Sequence, residues 1–391
     1  MAYTVLARRY RPESFDSLVG QKNVSETLKN AIKLNRIGHA YLFTGPRGVG
    51  KTSSARIFAK ALNCEVNGTS PEPCLKCNTC TGISKGSAQD VIEIDGASNN
   101  GVEDIREIRE AANYAPLNAP FKIYIIDEVH MVTRAAFNAL LKTLEEPPPH
   151  VIFLFATTEA HKIPETILSR CQRFDFLAIS EKDIVMRLQQ ILEEENVSAD
   201  ETVLRSLSRF ADGGMRTAQS YLDQLITYSG GEKILPQHLA EMFRILTEED
   251  LIELLEKASD GDLAYLTQKA EQFFNDGIQS SFVLDQLHQL LRTLLKIKHL
   301  GIKSEIDQIS SELVERFKTI VEKQSSQGFM QALEIVQQGK NNLSKGLDPQ
   351  WALEMVLMNL GHLKDLPSVS DLMGMMVQSK KKTLASSTKS N

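Results

Sequence analysis

Gly45-Pro46-Arg47-Gly48-Val49-Gly50-Lys51-Thr52 stands between an apolar run, His39–Thr44, and a helical pattern, Ser53–Leu62. A glycine at each end of four residues, followed by Lys and Thr, is the pattern of a loop that cradles phosphate. Its glycines let backbone amides converge on phosphate oxygens, and the helix that follows adds the positive end of its dipole. In this strand–loop–helix setting Lys51 is placed to reach β- and γ-phosphates and the Thr52 hydroxyl to reach magnesium. Ser53 carries the loop into the helix.

Outward from the loop, the apolar runs Asp90–Ile94, Phe121–Ile126, His150–Ala156 and Arg173–Phe176 are short and rich in Ile, Val and Phe. Nearly continuous apolar runs read as strands of a parallel sheet buried on both faces. Helical patterns at Val102–Ala112 and Ala135–Glu145 separate them. Pro147-Pro148-Pro149 stops the second, since proline supplies no backbone donor. Residues 1–176 are therefore expected to form a doubly wound α/β domain.

The run Phe121–Ile126 ends in Asp127-Glu128. There Asp127 would hold magnesium and Glu128 would orient the attacking water. An acidic pair after a strand says little alone, because helix N-termini also favour Asp and Glu. Together with the phosphate loop it points to ATP hydrolysis. Thr157 and Thr158 follow the run Val151–Ala156 at the same edge as the loop. Ser169-Arg170-Cys171 leads into the last strand, and Arg216 sits in Gly213-Gly214-Met215-Arg216 at the start of a helix. These fit a nucleotide sensor, although taken singly such residues more often cap helices or face solvent.

From Ser180 the alternation stops. Ser180-Glu-Lys-Asp opens a helix with an N-cap and early acidic residues, and Ile184, Leu188, Ile191 and Leu192 give it an apolar face. Further helical patterns run to Ser229, where Ser-Gly-Gly breaks the chain. A small helical domain is expected at 177–243. Leu284, Leu287, Leu291, Leu294 and Lys298, then Ile306, Ile309, Leu313, Phe317 and Ile320, keep helical spacing. Residues 244–365 are thus expected as an all-helical bundle, and 366–391, ending in a polar, lysine-rich stretch, as a flexible tail.

Four of the five cysteines crowd between 64 and 80: Cys64, Cys74, Cys77 and Cys80. Overlapping C-x2-C units can turn four thiolates onto one ion, which closes a tetrahedral zinc site and makes it structural. Iron–sulfur is the main alternative, and a disulfide or redox pair suits a reducing compartment poorly. Cys171 stands apart and is expected to be buried and inert. A chain of 391 residues, 42% hydrophobic and 24% charged, is long enough for two or three globular domains. No apolar run approaches the ~18 residues of a membrane helix, and the N-terminus shows no export signal, so the cytoplasm is expected. With a net charge of −6, nucleic-acid binding needs a local basic surface.

Further stretches narrow the reading: Val5-Leu-Ala-Arg-Arg-Tyr-Arg-Pro12, Val19-Gly-Gln21, Asn138-Ala-Leu-Leu-Lys-Thr-Leu-Glu-Glu-Pro147 and Ile167-Leu-Ser-Arg-Cys171. With the phosphate loop and the four-cysteine insertion straight after its helix, they make residues 3–365 resemble the γ/τ clamp-loader ATPases of bacterial DNA polymerase III, in the AAA+ superfamily. The resemblance implies an α/β P-loop AAA+ domain with a parallel sheet, then a small helical lid and an all-helical oligomerisation collar. It implies ATP-driven loading of a ring-shaped sliding clamp onto primed DNA, with ATP, Mg2+ and structural Zn2+ as cofactors. Its partners would be other loader subunits, copies of itself, the clamp and primer-template DNA, with no membrane. Thr157 would sense the γ-phosphate, Arg170 would act as a finger on a neighbour's ATP, and Arg216 would touch nucleotide in cis. The segments around Pro12 and Val19–Gln21 would pack about adenine. Arg106, Arg109 and Lys142 are candidates for sequence-independent DNA contact. After Arg216 the chain has Thr217-Ala-Gln219-Ser where the family usually has Asp-Ala-Leu-Ser, and it resembles the short form or a truncation. No acidic polymerase palm is recognised, so the chain is not expected to polymerise DNA itself.

Overall fold

The computed structural model describes residues 3–243, 246, 248–301 and 311–363. Two compact units divide after His238. In the first, α1 (Leu6–Arg9) and α2 (Lys22–Lys33) precede β1 (Ala40–Thr44) and α3 (Lys51–Asn63). Then come α4 (Asn78–Lys85), β2 (Val91–Asp95), α5 (Val102–Ala112), β3 (Lys122–Asp127) and α6 (Arg134–Glu145). The pattern closes with β4 (Val151–Thr157), α7 (Glu165–Leu168) and β5 (Gln172–Asp175). All five strands are parallel, in the order β2-β3-β4-β1-β5.

The central strands β1, β3 and β4 read as unbroken apolar runs because each face has its own cover, whereas the edge strands β2 and β5 expose Glu93, Asp95, Gln172, Arg173 and Asp175, against the expectation of burial on both faces. Tyr41, Phe43, Ile123, Ile125 and Leu154 pack with Ile57, Phe58 and Leu62 of α3. Leu42, Tyr124, Ile126, Phe153 and Phe155 point the other way, into Ile105 and Ile108 of α5 and Phe137 and Leu140 of α6. Burying each such side chain stabilises by about 1.5–3 kcal/mol. In-register pairs Thr44–Thr157 and Asp95–Asp127 bring the C-terminal ends of the strands to one edge, where ligands bind in open α/β sheets.

Helices α8 (Glu181–Glu195), α9 (Glu201–Phe210), α10 (Met215–Tyr228) and α11 (Pro236–Phe243) follow. The Ser180 Oγ accepts the Asp183 N–H at 3.2 Å, so the expected N-cap is present. Helices α8 to α10 share a compact unit with the sheet instead of standing apart. Gly213 explains the close junction. It sits at φ +77°, and a Cβ there would lie 2.6 Å from the Ala178 Cβ. Beyond β5 the described residues hold no further strand, only an isolated parallel bridge between Ala199 and Ile234.

The second unit contains α12 (Glu248–Asp260), α13 (Leu263–Asn275), α14 (Ser280–Leu300), α15 (Ser311–Lys323), α16 (Ser326–Ser344) and α17 (Pro349–His362). Leu284, Leu287, Leu291 and Leu294 of α14 meet Phe317 and Ile320 of α15 in its core, as their spacing predicts. Ile306, Ile309 and the expected tail at 366–391 lie outside the described residues. Among the described residues no helix is long and apolar enough to cross a membrane.

Candidate nucleotide site

The loop after β1 turns on Gly45. Its φ is +148°, and a Cβ would fall 2.4 Å from the Phe176 carbonyl oxygen, so no other residue fits without moving β5. Lys51, the first residue of α3, is buried. Its Nζ donates to the carbonyl oxygens of Gly45 at 2.9 Å and Pro46 at 2.7 Å. Burial pushes the Lys51 ammonium pKa down, and the charges of Glu128 and Asp127 push it back up. A cation held this way, on weak neutral acceptors beside two carboxylates, is prepared for a polyanion.

Across the edge, the Thr52 Oγ1 donates to the Asp127 Oδ2 at 2.6 Å, and the Asp127 Oδ1 accepts the Glu128 N–H at 3.0 Å. A hydroxyl and a carboxylate oxygen in one place form a hard-oxygen pair that suits magnesium. Glu128 leaves the strand with φ +46°. Its Oε2 lies 3.4 Å from the Thr158 Oγ1 and 3.5 Å from the His130 Nδ1. Thr157 is fully buried at the end of β4, with its Oγ1 3.0 Å from the same His130 nitrogen.

Lys51, Thr52, Asp127 and Glu128 open onto a cavity of about 540 Å³, within the usual range for small-molecule sites; Thr157 and His130 lie behind this wall and do not line it. Tyr10, Arg11, Pro12, Leu18 and Val19 form one wall, and Arg216 and Gln219 of the helical segment form another. Gly48, Val49, Gly50 and Ser53 also line it, as does the exposed Arg47. The Arg216 N–H donates to the Gly48 carbonyl at 3.4 Å, while its side chain stays exposed. Gln21 is buried and brackets the Leu177 peptide, donating to its oxygen at 2.8 Å and accepting its N–H at 3.3 Å.

Sequence reasoning passed over two groups here. Arg11 lines the wall with its guanidinium pKa pushed down, by burial first and then by Arg56. His130 is the other; its place in Asp127-Glu128-Val129-His130 was visible, but only the fold buries it beside Thr157. Arg170 does not line this cavity. Its guanidinium donates to the Glu145 Oε1 at 2.6 Å and to the Thr166 carbonyl at 2.7 Å. Of the basic residues singled out on the adjacent α5 and α6, Arg106 pairs with Glu103 at 2.5 Å, Arg109 is half-buried and Lys142 is exposed.

The thiol sulfurs of Cys64, Cys74, Cys77 and Cys80 all lie within 4.8 Å of one another. Tetrahedral zinc thiolates need sulfurs about 3.8 Å apart at a Zn–S distance of about 2.3 Å, so a small contraction suffices. Backbone N–H groups already point at sulfur: Cys74 at Cys64 (3.3 Å), Cys77 at Cys74 (3.3 Å) and Cys80 at Cys77 (3.4 Å). Burial, with the neighbouring Cys77, pushes the Cys80 thiol pKa up strongly. Against its burial, hydrogen bonds from backbone N–H groups and neighbouring thiols hold the Cys77 thiol pKa down. A bound cation favours all four thiolates together, and the donor set fits zinc. Cys171 is separate, its thiol pKa pushed up to about 12 by burial.

Comparison with known proteins gives three adjoining matches to family models. The model "DNA polymerase III, delta subunit" matches residues 20–180, and "DNA polymerase III clamp loader subunit, ATPase lid domain" matches 183–231. The model "DNA polymerase III subunits gamma and tau domain III" matches 235–376. The tau subunit of Bacillus subtilis is 40% identical over 380 residues, covering 95% of this chain and 67% of that protein. The tau subunit of Escherichia coli is 39% identical over 360 residues, 92% of this chain and 55% of its own length. A gamma subunit from Buchnera aphidicola subsp. Baizongia pistaciae is 35% identical over 371 residues, 94% of this chain and 99% of its own length. The chain thus spans about half to two thirds of these tau relatives and nearly all of this gamma relative. With its parallel-sheet AAA+ core, lid and helical collar, the chain belongs to the gamma/tau clamp-loader subunit family of bacterial DNA polymerase III.

Proposed function

We propose that this chain is the ATP-hydrolysing subunit of a sliding-clamp loader, using ATP to place the clamp on primed DNA, and is not the polymerase catalytic chain. The observation that carries the reading is the gathering of Lys51, Thr52, Asp127, Glu128 and Thr157 at one sheet edge, beside a cavity of nucleotide size. The loop residues from Gly45 to Ser53 bind the phosphates, and Lys51 exchanges the Gly45 and Pro46 carbonyls for phosphate oxygens. Thr52 and Asp127 would hold magnesium, which when bound neutralises charge on the β- and γ-phosphates. Glu128 orients the attacking water, and Thr157 reads the terminal phosphate. Arg216 approaches the nucleotide from the lid, and the wall from Tyr10 to Val19 takes the adenine. Arg170 acts in trans, on the nucleotide of a neighbouring subunit.

The zinc site is structural because four protein ligands leave no open position. Arg109 and Lys142, with Arg106 once released from Glu103, contact the DNA backbone. The division at 177 and 244 into ATPase, lid and collar goes with this reading. The partners are other loader subunits, further copies of this chain, the clamp and primer-template DNA, in the cytoplasm.

The test is ATP turnover by the assembled complex, with and without clamp and primer-template DNA. Stimulation that requires both is the expected result. Turnover indifferent to both, or absent with wild-type chain, overturns the proposal.

A further inference from the structure

The turn after β3 carries an imidazole that the roles assigned above leave unused. The side chain of His130 is only 8% exposed and touches three functional or charged groups. Its Nδ1 lies 3.0 Å from the Thr157 Oγ1 and 3.5 Å from the Glu128 Oε2; its Nε2 lies 3.1 Å from the Glu159 Oε2. The topology dictates this arrangement. Strands β3 and β4 are neighbours, paired in register at Ile126 and Phe155, so the turn Val129–Met131 lies beside the end of β4. The left-handed Glu128, whose carbonyl accepts the Met131 N–H at 2.9 Å, folds that turn back over the strand.

For a neutral ring protonated at Nε2, donor and acceptor accounting gives the following pattern. The Glu159 carboxylate can only accept, so Nε2 carries the hydrogen in that contact. The Thr157 oxygen already accepts the Glu159 N–H at 3.0 Å. The single hydroxyl hydrogen of Thr157 is therefore the one free to meet the Nδ1 lone pair. Two hydrogen bonds of 3.0 Å, between His130 and Thr157 and from the Glu159 N–H to Thr157, and a 3.1 Å polar contact between His130 Nε2 and the Glu159 carboxylate link the three residues in a ring. Glu128 lies just outside it and takes its nearest side-chain donor from Thr158.

We propose that His130 is a positioning residue for hydrolysis: anchored on Glu159, its Nδ1 sets the direction of the Thr157 hydroxyl and the position of the Glu128 carboxylate. The inference rests on the roles given to Glu128 and Thr157 above. It has a consequence for coupling. Thr157 has one hydrogen, so donating it to a phosphate oxygen breaks its bond to Nδ1. Phosphate reading and the placement of Glu128 thereby pass through one ring nitrogen, and a neighbouring oxygen of Glu128 is 3.5 Å away to respond. Within this arrangement only the Thr157 backbone meets the phosphate loop, its carbonyl accepting the Gly45 N–H at 3.3 Å; none of the His130 contacts does, so changes at His130 should separate turnover from affinity.

The experiment measures kcat, KM and ATP affinity in the assembled complex for His130→Ala, His130→Asn, His130→Leu and Glu128→Gln. An Asn amide can take the place of Nδ1, whereas Leu only fills space. Expected is a fall in kcat of roughly 10–100-fold for His130→Ala, the scale seen for outer-shell partners of catalytic groups. KM and affinity should stay within about threefold of wild type, and His130→Asn should recover more turnover than His130→Leu. The inference is overturned by His130→Ala at the parental kcat, by KM rising in proportion, or by Leu rescuing as well as Asn. If Glu128→Gln keeps the parental rate, the reading of the site falls first and this inference with it. If only Glu128→Gln loses turnover, the inference alone is wrong.

Discussion

At the scale of single residues, position relative to the sheet edge separates binding from chemistry. Lys51 is buried with its Nζ on two loop carbonyls, and on the proposed reading its loss would leave the phosphates without their cation. Lys51→Ala should therefore lower ATP affinity by about two orders of magnitude or more, on the scale of a lost charge-assisted contact. Glu128 lies beyond the strand and contacts no loop residue in the hydrogen bonds described here. Glu128→Gln should keep ATP affinity within a few fold and bring steady-state turnover to background. Equilibrium binding of a fluorescent ATP analogue and a phosphate-release assay check the pair. Parental turnover by Glu128→Gln would remove the water-positioning role.

Whole elements depend on buried polar anchors as much as on apolar faces. The Asp90 carboxylate, at the mouth of β2, is buried and accepts the N–H groups of Leu117, Asn118 and Ala119 at 2.7 to 3.0 Å. It ties down the loop between α5 and β3. Asp90→Ala removes the acceptor of all three donors, but Leu117 and Asn118 lie in an exposed loop where water can replace it. A loss of about 1–3 kcal/mol in chemical denaturation is expected, without loss of ATP binding by the protein that remains folded. A denaturation midpoint unchanged from wild type would contradict this. On the proposed reading, the four-cysteine insertion would depend on metal in the same sense. Structural zinc contributes on the order of 10 kcal/mol to local folding. Cys77→Ser, or treatment with a strong chelator, should raise hydrogen exchange across residues 64–80 and spare the β-sheet. Metal analysis should find one zinc per chain, and finding iron instead would reassign the site.

On the scale of the assembled molecule, Arg170 carries the sharpest test. It is away from its own chain's nucleotide cavity and pairs with Glu145, itself half exposed. An ion pair that open is worth at most about 1 kcal/mol, so a neighbouring subunit's phosphates can take the arginine from it. Arginine fingers contribute roughly 10³–10⁵ in rate in well-studied phosphoryl transfers. Arg170→Ala should leave ATP binding by the isolated chain unchanged and reduce turnover of the assembly by about that order. Assemblies mixing Lys51→Ala with Arg170→Ala chains should regain some turnover, because the first still donates a finger and the second still offers an intact site. No recovery in controlled mixtures, or weaker ATP binding by the isolated Arg170→Ala chain, contradicts action in trans.

The sequence by itself determined the parts whose signal is local. The central strands, the glycine-rich loop after β1 and the helix that follows it could be read because a strand covered on both faces is apolar throughout and a tight loop needs glycine. The cysteine cluster was legible for the same reason, since metal geometry dictates short spacings. The lid N-cap at Ser180 likewise needed only its own neighbours. Tertiary structure alone decided which strand ends meet. The order β2-β3-β4-β1-β5 puts Asp127 against Thr52, and the pairing of β3 with β4 puts His130 against Thr157, residues separated by tens of positions along the chain. The pairing of Arg170 with Glu145 and the partial burial of Arg11 beside the cavity are settings of the same kind. A polar side chain looks alike in sequence whether it faces water or a buried partner, and only the packed fold fixes which one it meets.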